Sequence, residues 1–185
     1  MGRRLPEREA IDFVRGTVGS RTGSTAWIGI DGFGAAGKTT FAARLAGALG
    51  DAAVVHVDDF SGPRIPEWDW ARFVAQVRDP LLAGQVARYQ IWDWARDEGG
   101  AWQDIAPGRP VIVEGVSSTR AEVGIAWDVQ IWVDAPLEVR LARAVERDGP
   151  GKLSRWVNDW MPSEERYATR ENPQQRVDFI VSGIS

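Results

Sequence analysis

Gly32-Phe33-Gly34-Ala35-Ala36-Gly37-Lys38-Thr39 fits the pattern G-x-x-x-x-G-K-[ST] at every fixed position. Residues of these types at this spacing make an anion cradle. Glycine tolerates backbone angles that other residues resist, so the stretch Gly32, Gly34, Ala35, Ala36, Gly37 can turn successive N–H groups inward onto phosphate oxygens. A helix opening at Lys38, Thr39 and Thr40 adds its positive N-terminal end. Lys38 is then placed for the β- and γ-phosphates, and the Thr39 hydroxyl for Mg²⁺. Gly32-x-Gly34-x-x-Gly37 also matches a dinucleotide fingerprint, with Asp58-Asp59 about 20 residues on, where a ribose-binding carboxylate is expected. The fingerprint leaves the Gly37-Lys38-Thr39 run unexplained, and a lysine at a helix start opposes the helix dipole unless an anion lies there.

Phosphate binding alone does not separate transfer from simple hydrolysis, so the acids decide. Asp58 and Asp59 close a short apolar run. A carboxylate there can take the proton of an acceptor hydroxyl during phosphoryl transfer, and either residue can also cap the following turn. Glu114 ends Val111-Ile112-Val113, the pattern of a strand delivering a carboxylate to a metal ion or its water; an unpartnered Glu at a buried strand end would be costly. Asp31 ends another apolar run and either braces the loop or joins the metal shell. Asp134 reads as a turn residue. His56, the single histidine, sits between Val55 and Val57 and reads as a structural residue. Arg140, Arg143 and Arg147 share one helix face. Beside Gly149-Pro150-Gly151, they suit a lid closing on phosphates, with Arg147 nearest the hinge and Arg143 on the nucleotide.

Alternating strands and helices position these groups. A helix is expected over 6–17, strands over 26–31 and 53–57, and a helix over 39–49 between them. A helix is expected over 69–84, with Phe73, Val77 and Leu81 four apart. Residues 86–94 are ambiguous between strand and helix, and 99–108 read as a loop bounded by Gly99-Gly100 and Pro107-Gly108. Strands follow over 110–116, 129–133 and 177–181, with helices over 136–147 and 163–170, the latter carrying Glu164-Glu165 near its start. This alternation implies a parallel sheet with helices on both faces. The pentapeptide Trp-Asp-Trp-Ala-Arg occurs at 68–72 and again at 92–96. Two copies do not make a repeat fold, and they read as a coincidence or as two helix starts capped by Asp69 and Asp93.

A chain of 185 residues suits one domain, 1–185. Lys+Arg of 22 against Asp+Glu of 26 gives no basic surplus for nucleic acid. The absence of cysteine excludes disulfides and thiolate sites. No apolar run approaches a membrane span, and the first residues lack a signal-peptide pattern, so a cytoplasmic protein with neither membrane nor nucleic-acid partners is expected.

Four segments resemble the uridine kinase group of P-loop kinases, which includes nicotinamide riboside kinases. They are Ile28–Gly32 running into Gly37-Lys38-Thr39-Thr40, Val57-Asp58-Asp59-Phe60, Val111–Gly115, and 139–148. The tail, with Trp160-Met161-Pro162, Glu164-Glu165 and 177–181, is also similar. The resemblance implies a three-layer α/β P-loop NTPase fold with a five-stranded parallel sheet in the order 2-3-1-4-5 and a short lid, about 147–162. It implies Mg-ATP as donor, Asp58 as base, Glu114 at the metal site, and an acceptor pocket over about 64–105. Asp69, Arg72, Tyr89 and Asp93 in that segment, with Asp59 just before it, are candidates for acceptor hydroxyls. Trp68, Trp70, Trp92 and Trp94, from an unusual total of ten tryptophans, can stack on a planar ring or pack the core. The histidine with which uridine kinases read the base has no counterpart after His56. The expected protein is a kinase for a small nucleoside-like or sugar-like acceptor, monomeric or homodimeric. The competing class is a nucleotide-binding switch that phosphorylates nothing.

Overall fold

Apolar runs of four to six residues, each ending in a polar side chain, form a buried parallel sheet in the computed structural model. It describes every residue except Met1, Ser20, Thr22, Pro63, Arg64, Pro66 and Ser185. Two residues of the expected acceptor segment, Arg64 and Pro66, thus lie outside the described residues. In chain order the elements are β1 (Arg3–Leu5), α1 (Glu7–Val18), β2 (Ala26–Asp31), α2 (Lys38–Leu49) and β3 (Ala53–His56). Then come a 3₁₀ turn (Val57–Phe60), α3 (Trp70–Phe73), a π-helical stretch (Val74–Arg78) and α4 (Asp79–Leu82). The strands β4 (Ala87–Asp93), β5 (Glu98–Ile105), β6 (Pro110–Glu114) and β7 (Val129–Asp134) follow. The chain ends with α5 (Leu137–Asp148), α6 (Leu153–Arg155), a second π-helical stretch (Trp156–Trp160), α7 (Met161–Glu171), α8 (Pro173–Arg176) and β8 (Phe179–Ser182).

The main sheet runs β1-β8-β7-β2-β6-β3, every neighbouring pair parallel. Its last five members are the expected 2-3-1-4-5 order. The sixth strand, β1, is a correction to the five-stranded expectation: three residues pairing only with β8 are too short to leave a periodic signal. A second correction concerns 99–108. Most of that stretch is β5, which pairs antiparallel with β4 from Ala87↔Ile105 to Asp93↔Glu98. Nearly all of β5 is solvent-facing on its side chains, so no apolar alternation marked it.

Strand alternation sends side chains to two cores. Ile28, Ile30, Ile112 and Ile131 pack against Ala10 and Val14 of α1 and Phe41 and Leu45 of α2. Val55, Val111 and Val113 face the other way, onto Phe60, Phe73, Val77, Leu81 and Tyr89. The 4-residue spacing of Phe73, Val77 and Leu81 therefore buries one face of the α3–α4 segment as expected, and the hairpin closes over it. Among the described residues, no helix is long and apolar enough to cross a membrane.

Candidate active site

After Gly32 (φ 150°), the loop between β2 and α2 winds through left-handed geometry at two further positions, Ala35 (φ 58°) and Gly37 (φ 103°). Only glycine adopts the second without strain, and that turn aims the first amides of α2 into the cradle. Asp31 supports the loop from below. It is fully buried. Its Oδ1 accepts from the N–H of Gly32 at 2.7 Å and of Ser117 at 2.9 Å, and its Oδ2 from Thr119 N at 3.2 Å, Thr119 Oγ1 at 2.8 Å and Tyr167 Oη at 2.6 Å. Burial, then the Asp31 charge and hydrogen bond, push the Tyr167 phenol well up. One side chain thus ties the loop, the segment after β6 and α7 together, which selects the bracing role for Asp31. Asp134, expected at a turn, pairs with Arg4 of β1 at 2.7 Å.

At the same sheet edge, Lys38 is nearly buried, and its Nζ donates to Phe33 O at 2.8 Å. Thr39 Oγ1 donates to Glu114 Oε1 at 2.9 Å, and His56 Nδ1 lies 2.6 Å from the same oxygen. His56 and Glu114 are register partners on β3 and β6. The Glu114 hydrogen bond raises the His56 pKa above its ordinary value, against an opposing effect of burial. Burial pushes Glu114 up, but the His56 hydrogen bond and the Lys38 charge outweigh it and hold the carboxyl below its usual range. His56 is a satisfied residue, as expected, but its partner is the candidate metal carboxylate. Placing 53–57 beside 110–116 at sequence level would have brought the two together.

Two hard oxygens, Thr39 Oγ1 and Glu114 Oε1, meet where the loop opens. That donor set fits Mg²⁺, which takes one or two protein oxygens and completes its shell with phosphates and water. Among the described residues no group of three His, Cys, Asp or Glu could hold a metal by itself, so phosphate oxygens belong in the fit.

Asp58 and Asp59 stand on the turn after β3. Asp58 opens to water on one side and is enclosed by protein on the others. Burial raises its pKa, Lys38 opposes this, Glu114 adds to it, and Arg147 and His56 pull it back. Lys38, Glu114, Arg147 and His56 thus all lie within electrostatic reach of Asp58. Arg147 is held by its neighbour Asp148, with Nε to Oδ1 at 2.9 Å, and lies over the Trp156 ring. Arg143 approaches the loop from its carbonyl side, donating to Gly183 O at 2.9 Å and reaching Ala35 O and Ala36 O at 3.4 Å.

The acceptor candidates divide. Asp59 and Tyr89 are joined by a side-chain hydrogen bond; burial pushes both groups up. Arg72 donates to Asp59 O at 2.6 Å and Gln90 O at 2.8 Å and lies over the Phe60 ring. It clamps three segments together. Arg72→Met should therefore lower stability by about 2 kcal/mol through two lost charged hydrogen bonds, read as a several-degree drop in thermal midpoint. An unchanged midpoint with a raised acceptor KM would instead put Arg72 on the acceptor. Asp69 caps α3 by accepting from Arg72 N at 2.9 Å. Asp93 accepts from Ala95 N and Arg96 N in the hairpin turn, so the second copy of the pentapeptide closes a strand and does not start a helix. Trp68 is buried with its Nε1 on Ser117 Oγ, and Trp70 lies under the Arg120 guanidinium. Trp94 and Trp102 are more than half exposed.

A groove of about 190 Å³ runs beside the loop, lined by Gly37, Thr40, Phe41, Arg143 and Gly183. A wider open groove, about 580 Å³, lies at the far end of the sheet near Arg15, Leu49 and Pro110, remote from every group above.

No protein-family model matches the chain. In sequence it is 25% identical over 179 residues to a uridine kinase of Halobacterium salinarum, covering 83% of this chain and 78% of that one. In fold it is similar to a possible uridine kinase from Bacillus stearothermophilus, with a TM-score of 0.72, 22% identity and coverage of 95% of this chain and 98% of the other. It is also similar to a candidate fructose transport system kinase from Silicibacter sp. TM1040, with a TM-score of 0.70, 20% identity and coverage of 96% and 98%. The resemblance to the uridine kinase-like group of P-loop kinases holds in sequence and in fold.

Proposed function

We propose that this chain is a P-loop kinase that moves the γ-phosphoryl group of Mg-ATP to a hydroxyl of a small nucleoside-like or sugar-like acceptor. The observation that carries this reading is the position of Asp58. A carboxylate open to water stands at the carboxyl edge of the sheet, within electrostatic reach of the loop lysine, Glu114 and Arg147. A nucleotide switch has no need of such a group. The relatives named above, a uridine kinase and a candidate sugar-transport kinase, support the acceptor class.

The amides of Gly34 to Thr40 and Lys38 bind the phosphate chain, and the groove lined by Thr40, Phe41 and Arg143 supports placing the donor base beside the loop. Thr39 and Glu114 would hold Mg²⁺, which supplies neutralisation of phosphate charge. His56 keeps Glu114 ionised and aimed at Thr39. Asp58 accepts the acceptor's hydroxyl proton as the oxygen attacks. Burial raises its pKa, which strengthens it as a base. Arg147, on the segment that serves as a lid over 147–162, offers charge to the moving phosphoryl group. The acceptor lies between Asp58 and the 64–105 segment, with Asp59 beside it and the buried Tyr89 supporting Asp59 from the core. Asp69, Arg72 and Asp93 shape the pocket by holding its turns and helix start, and Trp70 forms part of its wall.

ATP consumption by the full chain across a panel of nucleosides, sugars and hydroxy acids tests the reading. Stimulation by one chemical class is expected. Slow hydrolysis indifferent to every compound would favour a switch.

A further inference from the structure

Glu164 belongs to α7, 130 residues from the phosphate loop in sequence, yet it sits on the loop with 6% of its surface exposed. Its Oε2 accepts the Gly34 N–H at 3.0 Å, and Arg140 Nη1 lies 3.6 Å from the same oxygen. A methyl group on Gly34 would stand 2.5 Å from Glu164 Oε1 and 2.6 Å from the Trp156 ring. Glycine at this position is what lets the carboxylate and the indole lie against the loop. Next to Gly34, the Phe33 carbonyl receives Lys38 Nζ, and the Arg140 guanidinium covers the Phe33 ring at 4.7 Å. Burial raises the Glu164 pKa, while the Gly34 N–H, Lys38 and Arg140 oppose the rise.

A backbone amide of a glycine loop, a lysine and an arginine are the donors that a terminal phosphoryl group uses. Here a side-chain carboxylate already accepts from the amide, pairs with the arginine and lies in the field of the lysine. At the other end of the cradle, the amides of Gly37 and Thr39, which open α2, take the inner phosphates. We infer that Glu164 is a specificity-determining residue that stands at the terminal-phosphate end of the loop and sets its preference between nucleoside triphosphate and nucleoside diphosphate.

The inference rests on the phosphotransferase reading above. A triphosphate brings charge to the place Glu164 holds, and two like charges on one set of donors raise the free energy of that complex. A diphosphate leaves Glu164 on Gly34. The residue therefore weakens binding of the triphosphate without weakening that of the diphosphate. After transfer the carboxylate retakes the Gly34 amide.

Calorimetric titration of the full chain with Mg²⁺-ADP and with a non-hydrolysable Mg²⁺-ATP analogue tests this in the wild type, Glu164→Gln and Glu164→Ala. Glutamine keeps an oxygen for the Gly34 N–H and removes only the charge; thermal unfolding checks that each variant is folded. Both variants should bind the triphosphate analogue about tenfold tighter or more, with ADP affinity changed less than about threefold. Equal changes for the two nucleotides, or triphosphate binding unchanged or weaker in a folded variant, would overturn the inference. A wild-type chain that binds neither nucleotide contradicts the kinase reading itself, a separate and distinguishable failure.

Discussion

Asp58→Asn should lower the single-turnover rate of phosphoryl transfer about 10²- to 10⁴-fold, the range for loss of a positioned general base. Nucleotide affinity should stay within a few-fold, because the loop amides, Lys38 and Thr39 are untouched. The substitution keeps the size of the side chain and removes its ability to take a proton. It also removes a negative charge near Lys38 and Glu114, so any change in triphosphate binding should be toward tighter. A variant that turned over at nearly the wild-type rate would place the base elsewhere. Asp59, tied to Tyr89, is the neighbour to test next.

Asp31→Ala should cost about 3–5 kcal/mol, at the upper end for a single substitution, because it breaks a buried hydrogen-bond network. Five donors lose their acceptor at once: Gly32 N, Ser117 N, Thr119 N, Thr119 Oγ1 and Tyr167 Oη. All lie in the interior, so water cannot replace the lost oxygens without opening the packing between β2 and α7. For a chain of this length each kcal/mol moves the thermal midpoint by about 2–4 °C, so a fall of about 10 °C is expected by calorimetry. A residue that served only the metal shell would behave in the opposite way: its removal would leave the midpoint unchanged or raise it, by relieving repulsion from Glu114.

The contrast between these two aspartates shows what a sequence can carry. Asp31 and Asp58 both end apolar runs, and their strand-end position is legible in the residues alone. Their roles differ because Asp31 is closed in by partners 86 and 136 residues away, whereas Asp58 is left open. Five strands were legible because each is an apolar run that stops at a polar side chain, and the loop motif places β2; their order came only from the likeness of the motif segments to the uridine kinase group. The hairpin was not, because β5 faces solvent and includes Gly99 and Gly100. Trp68–Arg72 and Trp92–Arg96 are the same five residues in a helix start and at a strand end. The first is drawn into a helix by burial of Phe73 beneath it, the second into a ladder by pairing with Glu98 and Gly99. The Glu114–His56 pair depends on strands that are neighbours in space and 58 residues apart in sequence. Glu164 on Gly34 has no local signature at all, since its partner is a backbone amide that only the folded loop exposes.

The central claim is that phosphate leaves the nucleotide for an acceptor hydroxyl. It is tested most directly by following the γ-phosphate of labelled ATP in the presence of the acceptor that best stimulates turnover. The label should appear in a phosphomonoester of that acceptor, one for each ATP consumed, and the transfer should be lost in Asp58→Asn. Label recovered only as inorganic phosphate, at the same rate with and without acceptor, would contradict the account.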